Sequence, residues 1–113
     1  MKRIILCCIM LSAACGETPL EHEPITCPTA NNVPRYNELA AMATCMGCHA
    51  STLSGSAREG APAPIDFDTF AAATRGAEIG LSAMERGSMP PDGVVDDADL
   101  QQWKIWSLCG KPE

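Results

Sequence analysis

An all-α fold with long loops is expected from three features of the 113-residue sequence. Apolar residues recur at helical spacing, no run alternates as a half-buried strand would, and no repeat of about 20 to 50 residues appears. A chain this short makes one small domain whose core is marginal without a cofactor or cross-links. Seven cysteines suggest that it has such help.

The first element is a targeting segment. Met1-Lys2-Arg3 precedes an apolar run from Ile4 to Leu11, and Ser12-Ala13-Ala14 supplies the small residues of a cleavage site. The run is shorter than the about 20 residues of a permanent membrane span, so residues 1–14 read as an export signal that takes Cys7 and Cys8 with it. Ser12-Ala13-Ala14-Cys15 also resembles a bacterial lipobox, departing from it at Ser12, where leucine is usual. That resemblance implies a lipidated Cys15 as the mature N-terminus, facing the periplasm; simple secretion with cleavage near Ala14 is the alternative. Gly16, in place of an aspartate, leans toward the outer membrane.

Removing residues 1–14 takes away Lys2 and Arg3, so the net charge of −6 becomes more negative by two. Nucleic acid is excluded as a natural partner, and an acidic surface favours a protein partner with a basic docking patch. Residues 15–34 contain Glu17, Pro19, Glu21, Glu23 and Pro24 with little to bury, and read as a tether and loop. His22 is expected to be solvated there, because ordering a mobile segment costs entropy.

The domain is expected over residues 35–110. Tyr36, Leu39, Ala40 and Ala43 make one face of a helix over residues 35–44. Ser51 to Gly60 and the Pro62 and Pro64 stretch are loop. Asp66 or Asp68 is expected to cap a helix through Phe70 and Ala71–Ala73, interrupted at Gly76, with further turns from about Glu78 to Arg86. Gly87 to Gly93 is irregular. Asp96 or Asp97 then starts a last helix ending at Cys109, with Gly110 and Pro112 as stops. Its Leu100, Trp103, Ile105, Trp106 and Leu108 form no single stripe, so this helix must contact more than one surface.

Cys45-Met46-Gly47-Cys48-His49 carries the chemistry. Cys-x-x-Cys-His lets two thiols bond the vinyl groups of a haem while the adjacent histidine ligates iron, and such attachment takes place outside the bacterial cytoplasm. Two other readings use the same residues. A thioredoxin-like pair normally follows a strand, and here a helical pattern precedes it. A zinc site needs four ligands in a closed shell, and the sequence has no second Cys-x-x-Cys. For a second iron ligand, His22 lies in the tether, Met42 and Met46 sit beside the attachment motif, and Met84 falls in a helix where core packing is the default. Met89 remains, in a loop stiffened by Pro90 and Pro91, where Gly87 allows close approach.

On Cys45-x-x-Cys48-His49, Gly87-Ser88-Met89-Pro90-Pro91, and Trp106 ahead of Cys109-Gly110, the chain resembles a class I c-type cytochrome, a small exported monohaem protein, over residues 35–110. The resemblance implies roughly three to five helices wrapped around one covalently bound haem c, with the terminal helices crossing beside it. It also implies that His49 is the proximal and Met89 the distal iron ligand, and that the carbonyl of Pro62 or Pro64 orients the His49 ring. Trp103 or Trp106 could donate to a haem propionate, although core packing is favoured for Trp106, and Arg58 and Arg75 could pair with the propionates, although a solvated arginine is the commoner state.

Cys27 and Cys109 are left over, and in an oxidising compartment they are expected to form a disulfide. The whole reads as a single-electron carrier rather than an enzyme, with no small-molecule substrate. A haem-based gas sensor with a labile sixth ligand is the runner-up, and a thiol–disulfide oxidoreductase stands third.

Overall fold

Three α-helices carry the fold: α1 (Ala41–Met46), α2 (Phe70–Glu85) and α3 (Asp97–Leu108). Single 3-10 turns lie at Ala30–Asn32, Tyr36–Glu38 and Gly55–Arg58, and there is no strand among the described residues. The computed structural model describes residues 21–91, 93 and 95–113. The expected export signal over residues 1–14 and the expected lipidation site at Cys15 lie outside them. Helix α3 packs against both α1 and α2, which accounts for its scattered apolar residues: Trp103 and Trp106 are both fully buried.

Helix α2 is continuous, where a break at Gly76 is expected from the sequence. A Cβ on Gly76 would lie 3.0 Å from the Phe67 ring, and one on Gly80 would lie 2.9 Å from Cζ2 of Trp103. The two glycines thus form a flat face, one turn apart, that admits two aromatic rings. Ring contact outweighs their unfavourable helix propensity of about 1 kcal/mol each. The cap is Thr69, whose hydroxyl accepts the Ala72 N–H at 3.2 Å, and not Asp66 or Asp68. Those two carboxylates are engaged elsewhere, Asp66 with Arg58 and Asp68 with Ser51. Helix α3 starts as expected, with Asp96 accepting the Ala98 N–H at 2.8 Å. It ends at Gly110, whose φ of 105° turns the chain so that the Lys111 N–H reaches the Trp106 carbonyl.

The first helix is shorter than its periodicity suggests. Tyr36 donates its N–H to the Pro112 carbonyl and its hydroxyl to the Phe67 carbonyl, at 3.0 and 2.7 Å. Leu39 is extended, and α1 begins only at Ala41. These tertiary bonds fix Tyr36 against the chain's other end, and the bend at Leu39 allows Leu39, Ala41 and Met42 all to be buried.

Cys27 and Cys109 form the expected disulfide, with Cα atoms 5.6 Å apart across 82 residues of sequence. It draws the preceding segment onto the helices. The His22 side chain is only 5% exposed, with Nδ1 3.0 Å from Glu85 Oε2, where solvation is expected from the sequence. The cross-link lowers the entropic cost of ordering that segment. Burial works against ionisation of Glu85, but bonds from His22 and Lys104 outweigh it and hold the carboxyl below its ordinary range.

Two stability measurements check this packing. Replacing Cys27 and Cys109 together by serine is expected to lower the unfolding free energy by up to about 4.5 kcal/mol, read from the denaturant midpoint. Gly80→Ala should cost about 1–3 kcal/mol, because its methyl must displace the Trp103 ring.

Candidate functional site

A cleft of about 580 Å³ opens between α1, α2, the start of α3 and the loops that join them. The size is that of a site for an organic cofactor or ligand. One wall is built by the turn that continues α1. The His49 N–H bonds the Cys45 carbonyl at 2.9 Å, so helical geometry runs past Met46 and through Gly47 and Cys48. Cys45, Cys48 and His49 therefore stand at i, i+3 and i+4, on one face. All three line the cleft, together with Ala41 and Thr44 from the same helical stripe.

His49 is fixed by the segment opposite. Its own carbonyl accepts the Phe67 N–H at 2.9 Å, and its Nδ1 lies 2.8 Å from the Ile65 carbonyl. A carbonyl can only accept, so Nδ1 carries the proton and Nε2 carries the lone pair, the tautomer of a metal-ligating imidazole. The Phe67 ring packs edge-on to the imidazole at 5.4 Å. The orienting oxygen is that of Ile65, and not that of Pro62 or Pro64. The Pro62 carbonyl is already occupied by the Ile65 N–H and by Arg58.

Helix α2 forms a second wall with Ile79, Gly80, Ala83 and Met84. Ile79 is 46% exposed, the one large apolar side chain so open among the described residues. The end of α2 determines where the next loop goes. Gly87, with φ of 68°, donates to the Met84 carbonyl at 3.0 Å and the Ser88 N–H bonds the Ala83 carbonyl at 3.0 Å, a paired helix cap that only a left-handed residue completes. Gly87 thus serves the helix end, and a Cβ there would meet no protein atom within 4 Å. The cap delivers Met89 directly to the cleft, followed by Pro90 and Pro91. Met84 also lines the cleft but belongs to the buried core cluster, whereas Met42 and Met46 face away from it.

Glu59, Asp96 and Asp99 give the lining an acidic component. The Cys48 thiol donates to Glu59 Oε2 at 3.6 Å. Burial pushes the Cys45 thiol up to about 11, so it is protonated at neutral pH. The Ser51 hydroxyl, 2.7 Å from Asp68 Oδ2, holds the Asp68 carboxyl below its ordinary range and ties the chain just after His49 to that just after Phe67.

The side chains considered as propionate partners are placed as follows, and Trp106 packs in the core as expected. Arg58 is buried, and its guanidinium is surrounded by the Ala50, Ala61, Pro62 and Ile65 carbonyls and by Asp66, which leaves it bound within the protein. Arg75 is exposed and lies outside the cleft lining. The two indoles donate to backbone carbonyls, Trp103 to Ala77 and Trp106 to Pro112, each at 2.9 Å, and neither lines the cleft.

The raised Cys45 pKa has a measurable consequence in the folded chain with its thiols reduced. The folded thiol holds its proton more tightly than the ordinary value of 9.0, so its contribution to stability is complete below about pH 9 and is lost as pH rises to about 11. Alkylation of Cys45 should correspondingly be slow at pH 7 and accelerate only toward that upper value; rapid labelling at neutral pH would contradict the burial. Searches for similar proteins found no match among protein-family models, curated proteins or solved structures.

Proposed function

We propose that this chain is a single-electron carrier of the class I c-type cytochrome kind, acting outside the cytoplasm from a lipid anchor at Cys15. The observation that carries the proposal is the convergence of Cys45, Cys48 and His49, on one helical turn, with Met89 from a separate loop in a single mainly apolar cleft. Two thiols and an imidazole on one wall and a thioether on another loop suit a covalently held haem with two axial ligands, and the cleft fits the cofactor in size and character. Cys45 and Cys48 would hold the haem by thioether bonds, with His49 Nε2 and Met89 Sδ ligating its iron.

Bound haem supplies a one-electron Fe(III)/Fe(II) couple, raised in potential by a methionine ligand. The protein's part is to fix the His49 tautomer through Ile65, to place Met89 through the cap of α2, and to keep the surroundings dry with Phe67 and Met84. Ligation by both His49 and Met89 leaves no position for a substrate, which favours electron transfer over catalysis. Glu59, Asp96 and Asp99 at the cleft, together with the net negative charge, support a redox partner with a basic docking patch.

Two other readings find less support. A thiol–disulfide oxidoreductase needs a thiolate nucleophile, and burial keeps Cys45 protonated. A closed zinc shell needs clustered ligands, and no group of three or more His, Cys, Asp or Glu side chains suited to a metal occurs among the described residues.

The test is to export the chain through its own signal in a bacterium that matures c-type cytochromes, then to record the alkaline pyridine spectrum and intact mass. One haem per chain is expected, and exported protein without covalent haem overturns the proposal. Met89→Ala should then abolish the weak near-infrared sulfur–iron band and open the reduced protein to carbon monoxide, while Met84→Ala retains both the band and the resistance. If the unsubstituted reduced protein binds carbon monoxide readily at neutral pH, the gas-sensor reading replaces the carrier.

A further inference from the structure

We propose that Arg58 is a positioning residue for His49: by sharing the Ile65 carbonyl it weakens the hydrogen bond that orients the imidazole, and so raises the reduction potential of the site. The inference rests on the reading of His49 as an iron ligand and adds a residue that the attachment motif does not contain.

Arg58 is 7% exposed and closes the 3-10 turn at Gly55–Arg58. Its Nε donates to the Ala61 carbonyl at 3.1 Å and its Nη1 to the Ala50 carbonyl at 2.9 Å. Nη2 faces three acceptors, Asp66 Oδ1 at 2.8 Å and the Pro62 and Ile65 carbonyls at 3.2 Å each. Two N–H groups divided among three oxygens leave the carbonyl bonds longer than the charged one. Asp66 thereby holds the guanidinium in place and limits how strongly it draws on Ile65.

The Ile65 oxygen is the junction. It accepts the His49 Nδ1–H at 2.8 Å and the Arg58 Nη2–H at 3.2 Å, one for each lone pair. An oxygen that donates density to a cation pulls less on the imidazole proton. The ring then has less imidazolate character and is a weaker donor to a metal, which stabilises the oxidised state less. Asp66 acts in the opposite sense, because it shares the cation.

The experiment uses the mature, exported holoprotein and compares the unsubstituted chain with Arg58→Lys and Asp66→Asn. Arg58→Lys keeps the charge and loses the fork. It should shift the oxidised-to-reduced ratio at fixed electrode potential by up to about tenfold toward oxidised, equivalent to a fall of about 59 mV for one electron. In the reduced protein the His49 Nδ1–H resonance should move downfield and stay protected from exchange, as a strengthened bond requires. Asp66→Asn should move the potential the other way, upward. A purely structural role for Arg58 predicts a lower denaturation midpoint with an unchanged potential, and that result overturns the proposal. So does a fall in potential in both variants with loss of Nδ1–H protection, which would mean a loosened loop. Failure of the unsubstituted chain to carry covalent haem overturns the cytochrome reading itself, whereas haem-loaded variants with no shift overturn only the role of Arg58.

Discussion

His49 is held from two directions by one stretch of chain: its carbonyl accepts from Phe67 and its ring donates to Ile65. Buried polar groups of this kind are costly when unpaired, so the two bonds stand or fall together. They place the turn from Cys45 to His49 against the 65–67 segment, and the rest of the cleft is arranged from there. Phe67, positioned by the same pair, packs its ring at 5.3 Å from Trp103 and against the glycine face of α2. The contact that fixes the imidazole is therefore continuous with the core. Loss of the bond to Ile65 would change the chemistry of the ring and the seating of α2 at once.

The glycines of α2 show how site and core share one helix. Gly76 and Gly80 lower its intrinsic propensity, yet without them neither Phe67 nor Trp103 could approach the helix backbone. Ile79, Gly80, Ala83 and Met84 then face the cleft from the same helix. At its end, the left-handed Gly87 releases the chain toward Met89 in a fixed direction. A helix that was stronger in isolation, with alanine at these positions, would fit neither the rings nor the loop.

Much of this was readable from residue types. Helical periodicity and the lack of alternation identify an all-helical chain, the Asp96-Asp97 pair announces the start of α3, and Cys27 and Cys109 pair as their positions and number suggest. The Cys45, Cys48, His49 and Met89 set is legible because side-chain chemistry names it, and the structure brings those four to one cleft. What was not legible depends on the backbone and on burial. The acceptor for His49 is a main-chain oxygen, and any residue at position 65 would present one. Arg58 looks like a surface residue until its carbonyl partners are known, and Gly76 looks like a helix break until the Phe67 ring is seen against it. Tyr36 is kept out of the first helix by a bond to Pro112, a contact too distant in sequence for local pattern to reveal.

The segment before α1 and the one after α3 are secured to each other. Besides the Cys27–Cys109 link, the Pro112 carbonyl receives both the Tyr36 N–H and the Trp106 indole, and Arg35 reaches the Glu113 carbonyl. Small domains ordinarily fray from their termini inward. Here α3 cannot peel away without also breaking these bonds, so opening at that edge is coupled to the core. The last helix and the segment before the first one therefore act as a single clasp, and neither comes loose while the other holds.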